Sequence, residues 1–214
     1  MIMADNYLER RQEELAQRRA PAAKKRSGGV PLDTLLKKNR SYRGFDPSRN
    51  VTREQLKELV QVTTLCGSGM NRQPLRYRLV CGEEASKVLP LITLGAALPE
   101  EHLPKPGMEP GAFIVVCSGA QPDKPLWIDL GIAAQSILLK SVEKGLGGIF
   151  ILNFRADDLA EALGLELRPL AVIAIGLPAE RIFLKPVHEG ESLKYYRTGG
   201  VHFVPKLTLE DIII

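Results

Sequence analysis

The sequence predicts a chain of interleaved helices and strands, α/β or α+β, and three observations carry that expectation. From Ile128 to Leu146 apolar residues fall on nearly every side of a helix, the pattern of a helix buried in a core or an interface. Short β-rich runs flank it, "RYRLVC" at 76–81, "AFIVVC" at 112–117 and "LAVIAIG" at 170–176. With 214 residues, 44% apolar and 25% charged, the chain is long enough to bury one substantial core and too apolar for wholesale disorder.

Taken in order, residues 5–20 are rich in Glu, Arg, Gln and Ala and favour a helix. Tyr7, Leu8 and Leu15 are its main apolar side chains, so it has no broad face to bury. "APAAKKRSGG" at 20–29 breaks the pattern with Pro21, Gly28 and Gly29 and reads as a linker. Its Lys24, Lys25 and Arg26 read as a solvated tether in preference to a nucleic-acid contact. Residues 1–30 are therefore an N-terminal helical arm and linker, and 31–214 a compact domain.

Within that domain "LDTLLKKN" at 32–39 is a short helix, and Thr52 with Gln55 forms a capping-box signature ahead of Leu56, Leu59 and Val60 at helical spacing. "LPEEHLPKPGMEPG" at 98–111 is a Pro-rich loop, expected as a mobile rim. In the long helix Asp129 is expected in the first turn and Lys140 and Lys144 near the last, both favourable to the helix dipole, with Gly145, Gly147 and Gly148 ending it. A strand "IFILNF" at 149–154, a short helix from Asp157 or Asp158 and the strand at 170–176 follow. There is no internal repeat.

Several function classes find no support. The net charge of +4 would help attract an anionic ligand but is too small to argue for nucleic acid. Cys66, Cys81 and Cys117 are odd in number and widely spaced, which points to a reducing compartment. The first residues lack an apolar signal region, and runs such as "LAVIAIGL" fall far short of the about 20 residues that span a bilayer. A soluble cytoplasmic protein is the expectation. His102, His188 and His202 show no ligand spacing, so no metal site is expected. "GLGG" follows a helix instead of a strand, so it is no dinucleotide loop, and neither GxxxxGK[ST] nor GxSxG occurs.

Two polar stretches remain. "KKNRSYRGF" at 37–45 crowds Lys37, Lys38, Arg40 and Arg43 together, and such charges repel unless an anion or water lies against them. Arg40 and Arg43 can fork around a phosphate with the Ser41 hydroxyl as a further donor; a solvated loop is the alternative. In "CGSGMNRQPLRY" at 66–77, Gly67 and Gly69 allow close backbone approach. The Asn71 and Gln73 amides there suit a heterocycle edge bearing both carbonyls and N–H groups.

Taken together, "NRSYRGFD" at 39–46, "NRQP" at 71–74, a helix opening "DLGIAAQ" at 129–135 and ending "GLGG" at 145–148 resemble the nitroreductase family of FMN-dependent oxidoreductases. The resemblance runs from about Leu32 to the C-terminus. It implies an α+β, three-layer fold, a mixed central sheet flanked by helices, in an intertwined homodimer with FMN at the subunit interface. It also implies that Arg40, Ser41 and Arg43 grip the FMN phosphate and ribityl chain. Asn39 stands where many members have a further basic residue. Ser68, Asn71 and Gln73 match the loop that reaches the flavin from the other subunit, and Leu75 replaces the family's common Trp. Leu152 and Asn153 fall where the backbone passes flavin N5. Near the C-terminus "VPKLTLEDI" resembles the segment supplying a last phosphate cation, Lys206 with Arg197 as a rival, and Leu207 stands where a second basic residue is frequent.

The function so implied is transfer of hydride from NADH or NADPH through flavin N5 to a small electron-poor acceptor, a nitroaromatic or quinone, by ping-pong kinetics. The flavin carries the chemistry and no catalytic side chain is expected. The alternatives are a flavin reductase, a dehalogenating or flavin-cleaving member, or a non-enzymatic protein that binds FMN or, through its basic arm, nucleic acid.

Overall fold

The computed structural model describes residues 29–95 and 103–214. The predicted helix at 5–20, its linker as far as Gly28, His102 and part of the Pro-rich rim lie outside the described residues. Residues 33–214 form one compact unit.

The chain begins with α1 (Leu32–Lys38), β1 (Phe45–Asp46), α2 (Arg53–Gln61), β2 (Leu75–Cys81), α3 (Ala85–Val88) and β3 (Ala112–Ser118). Then come α4 (Lys124–Glu143), β4 (Gly147–Ile151), α5 (Ala156–Leu163), β5 (Arg168–Pro178), β6 (Arg181–Val187), β7 (Tyr196–Thr198) and β8 (Val201–Leu207). The class is α+β.

The main sheet is built around β5, which pairs antiparallel with β3, β4 and β1, while β2 lies antiparallel on β3. One parallel bridge, Ser41 to Gly148, joins the chain before β1 to β4. Side chains alternate across a strand, and in β3 both sets are buried. Ala112, Ile114 and Val116 join Leu56, Leu59, Leu126 and Ile137 in a cluster under α2 and α4. Phe113, Val115 and Cys117 join Val88, Ile149 and Leu159 in a second cluster under α3 and α5. Helices on both faces explain why β3 and β5 read as unbroken apolar runs instead of alternating ones.

The capping box of α2 is present in both directions: Gln55 N–H donates to Thr52 Oγ1 at 3.2 Å and Thr52 N–H to Gln55 Oε1 at 2.9 Å. The long helix starts four residues earlier than the apolar pattern suggests. Pro125 fits the first turn, where its missing N–H costs nothing, and Asp123 caps it by accepting from Leu126 N–H at 2.8 Å. This corrects the reading of Asp129, which lies in the helix interior and is buried, away from the first turn. At the other end Gly145 takes φ +74°, donating to Val142 O at 3.0 Å, and Leu146 donates to Ser141 O at 2.8 Å. That Schellman turn stops the helix at Glu143, short of Leu146.

Only part of α4 is in the core. Leu126, Leu130, Ala133, Ile137 and Leu138 are buried, whereas Trp127, Ile128 and Ile132 are 46%, 61% and 40% exposed. A separate three-stranded sheet follows β5, with β6 parallel to β8 and β7 antiparallel to it. On one rung of it Phe203 stacks between Phe183 and Tyr196, at centroid distances of 6.2 and 5.3 Å.

Candidate functional site

The segment from Asn39 to Gly44 runs along β4. Tyr42 N–H donates to Gly148 O at 3.2 Å beside the Ser41 bridge, and Tyr42 Oη donates to Lys38 O at 2.9 Å. Gly147 lets Tyr42 approach this closely, and Gly148 lets β4 pack against β5 and the long helix, because neither carries a side chain. A Cβ on Gly147 would stand 2.7 Å from the Tyr42 ring, and one on Gly148 would collide with the Ala174 carbonyl. Arg40 Nη2 donates to Leu36 O at 2.6 Å, and Arg43 Nη1 to Ser41 O at 3.0 Å. The Arg43 guanidinium lies over the Tyr195 ring, 5.2 Å from its centroid.

Arg40, Ser41, Arg43 and Tyr195 line a cavity of about 390 Å³ together with Asn39, Gln135 and Lys206. The structure thus brings Arg40, Ser41, Arg43 and Lys206 together. Arg40 Nε and Arg43 Nε are buried and have no hydrogen-bond partner among the described residues. Burial pushes both guanidinium pKa values down from their ordinary range, because desolvation disfavours the charged form. A bound anion would offset that penalty, as Glu180 already does in part at Arg43. Arg197 is placed differently: it pairs with Glu180 at 2.5 Å and lines a neighbouring cavity of about 270 Å³.

The amide loop is held by Asp129. Its carboxylate accepts from Ser68 Oγ at 2.6 Å and Gly69 N–H at 2.9 Å, and Ser68 Oγ in turn accepts from Gln73 N–H at 2.9 Å. Met70, Asn71 and Gln73 sit at φ +51°, +54° and +47°, a left-handed backbone that few non-glycine residues adopt. Gln73 Nε2 donates to Asn71 Oδ1 at 3.0 Å, so the two amides are presented as a pair. Ser68, Gln73 and Asp129 line a third cavity, of about 240 Å³, and among the described residues none lines both it and the cation cavity.

Leu152 and Asn153 follow the end of β4 and are exposed, with Asn153 O accepting from Thr93 N–H at 2.9 Å. Leu75 opens β2, and Leu207 ends β8 half-buried. His188 is exposed, its Nδ1 3.0 Å from Asp211 Oδ2, but His202 is only 3% exposed and lies 5.2 Å from the Tyr195 ring, in the wall of the cation cavity. Sequence reasoning found no role for it. It also missed Glu180 and Tyr195, which carry no local motif. Gln135 closes the "DLGIAAQ" stretch, so a signal for it existed. Among the described residues no cluster of His, Cys, Asp and Glu could hold a metal ion, and no helix is long and apolar enough to cross a membrane.

Residues 36–177 match the model of the nitroreductase family, and the chain belongs to that family. A protein of Methanothermobacter thermautotrophicus, provisionally named NADH dehydrogenase/NAD(P)H nitroreductase, is 28% identical over 160 residues, 70% of this chain and 79% of its own length. Among solved structures, a variant of an FMN- and NADPH-dependent nitroreductase from sphigopyxis sp. strain HMH superimposes with a TM-score of 0.61 at 19% identity. It covers 86% of this chain and 98% of its own. A provisionally assigned nitroreductase of Exiguobacterium sibiricum 255-15, solved in complex with FMN, gives 0.58 at 18% identity over 72% of this chain and 91% of its own.

Proposed function

We propose that residues 31–214 form an FMN-binding domain that passes electrons from NADH or NADPH to a small, flat, electron-poor acceptor such as a nitroaromatic or a quinone. One observation carries this reading: the buried Arg40 Nε and Arg43 Nε, without partners among the described residues, in the wall of the cation cavity. A phosphomonoester supplies the charge and acceptor oxygens that two desolvated guanidinium groups call for. Ser41 adds a hydroxyl donor and Lys206 a point charge. The FMN named for relatives of this chain fits that donor set.

FMN held there would supply two-electron redox chemistry between a nicotinamide donor and the acceptor. This chain's residues bind, orient and exclude water. Arg40, Ser41, Arg43 and Lys206 anchor the phosphate end, the backbone at Leu152 and Asn153 borders the ring, and the paired amides of Asn71 and Gln73 hold the heterocycle edge. The amide loop lines a different cavity from the cations, so we assign its contact to a second copy. The exposed Trp127, Ile128 and Ile132 of α4, with Leu65 and Met70 85% and 82% exposed, form the apolar surface of that dimer. The donor leaves before the acceptor enters, so turnover is ping-pong.

Purified protein should show the absorbance bands of a bound flavin at one per chain and be bleached anaerobically by NADH or NADPH. A colourless protein that takes up no FMN on titration sinks this reading. Light scattering should find a dimer, and a stable FMN-loaded monomer contradicts the shared site.

A further inference from the structure

We infer that Glu180, in the link between β5 and β6, is the positioning residue that aims Arg43 and commits Arg197, leaving Lys206 as the C-terminal cation of the phosphate cavity. The inference rests on the cofactor reading above, but its geometry stands independently. One carboxylate oxygen of Glu180 accepts from Arg43 N–H and from Gly44 N–H, the latter at 2.9 Å. The other pairs with Arg197 Nη2 at 2.5 Å. The Glu180 side chain is 9% exposed and that of Arg197 15%, so neither charge is well screened by water.

A carboxylate beside a phosphate site would ordinarily oppose the ligand. Here its charge is spent on Arg197 and on two backbone donors, and what it supplies is position. Arg43 is fixed at three points: its backbone by Glu180, its Nη1 on Ser41 O at 3.0 Å and its guanidinium over Tyr195. The fit is tight, since a Cβ on Gly44 would meet Glu180 Cγ at 3.2 Å. Ala179 N–H donates to Gly44 O at 3.1 Å, so the β5–β6 link holds the Arg-bearing segment by both a side chain and the backbone. Arg197 stands in β7 opposite His202 of β8, while Lys206 stands further along β8 and lines the cavity with Arg40 and Arg43.

The alternative role is electrostatic, and it has the opposite sign. If Glu180 merely repelled the phosphate, Glu180→Gln would tighten FMN. If it positions, Glu180→Ala weakens FMN about tenfold or more, as expected for a misplaced charge-assisted contact. Glu180→Gln keeps an acceptor for the two N–H groups and so restores part of that loss.

The test is titration of apo-protein with FMN and with riboflavin, which lacks the phosphate, alongside hydrogen exchange at the Arg43 and Gly44 amides. Weaker FMN binding in Glu180→Ala with unchanged riboflavin binding, partial recovery in Glu180→Gln, and faster exchange at both amides support the inference. A remote substitution, Glu58→Gln, should leave all of these at the parent level. Unchanged FMN affinity in Glu180→Ala, or tighter FMN binding in Glu180→Gln, overturns it. If the parent takes up no FMN, the cofactor reading has failed, and amide exchange still decides: acceleration in Glu180→Ala supports the clamp and parental rates refute it.

Discussion

The Arg40–Arg43 segment and the Ser68–Gln73 loop are both polar turns, and each is held by one carboxylate from a distant part of the chain, Glu180 and Asp129 respectively. They differ in where their specificity resides. The first lies against β4 through the Ser41–Gly148 bridge and presents cations. The second carries three left-handed non-glycine residues and presents amides. Such residues cost of order 1–3 kcal/mol each and persist only where the surroundings over-determine them. The cationic segment is therefore a site whose function can be lost while the fold stays intact. In the amide loop, geometry and stability fall together.

Asp129→Ala draws the contrast most sharply. The aspartate is 4% exposed, and its loss strands the Ser68 hydroxyl and the Gly69 N–H. Both donors are part-buried, so each should cost the lower end of the about 1–3 kcal/mol of a stranded buried donor, a total of about 2–3 kcal/mol in chemical denaturation. Ser68→Ala, which removes one partner of the same network, should cost less, and the two substitutions should be non-additive. Denaturation of Asp129→Ala at the parental midpoint would mean that something else holds the loop.

Arg40→Ala should do the reverse. Losing a charge-assisted contact costs roughly 1.5–3 kcal/mol, so FMN affinity should fall about ten- to hundredfold on titration of the apo-protein. Apo-protein stability should barely change, because Arg40 is only half-buried and its side chain makes a single hydrogen bond among the described residues, to Leu36 O of the preceding helix α1. If apo stability drops as far as in Asp129→Ala, the two regions do not divide the work as described.

The same division decides what could be read before the structure. The capping box at Thr52, the runs at β3 and β5 and the existence of the long helix follow from local pattern, and each is present. The clustering of Arg40 and Arg43 was legible because like charges this close need an explanation that three positions of sequence contain. The start of α4 was not, because Pro125 reads as a break and Asp129 as a first-turn acid until Asp123 is seen to cap the helix. The second sheet was hidden because β6 contains Pro186 and β8 contains Pro205, residues that argue against strands away from an edge. Glu180 was out of reach altogether. It meets Arg43 across 137 residues of chain, and no local period or spacing encodes such a contact.

The smallest effect expected belongs to the outer anchor of the amide loop. Arg72 forms a two-pronged pair with Asp123, at 2.9 and 3.1 Å, with both side chains more than a third exposed. Exposed pairs contribute little and are screened by salt, so Arg72→Ala should lower stability far less than Asp129→Ala and less again at high salt. Its acid dependence has a definite sign. The hydrogen bond from Arg72 comes first, and that from Leu126 N–H second, in holding the Asp123 carboxyl below its ordinary 3.8. A folded-state pKa depressed in this way gives stability that is fully present above the unfolded value and is lost as pH falls through the folded one. Between pH 5 and pH 8 the loop should thus be indifferent to this anchor's titration, and below about pH 4 it should loosen. Melting curves of the parent and Arg72→Ala across that range should converge at the acid end, as protonated Asp123 ceases to pair. A gap between them that widens in acid would show that Arg72 steadies the loop by some route other than Asp123.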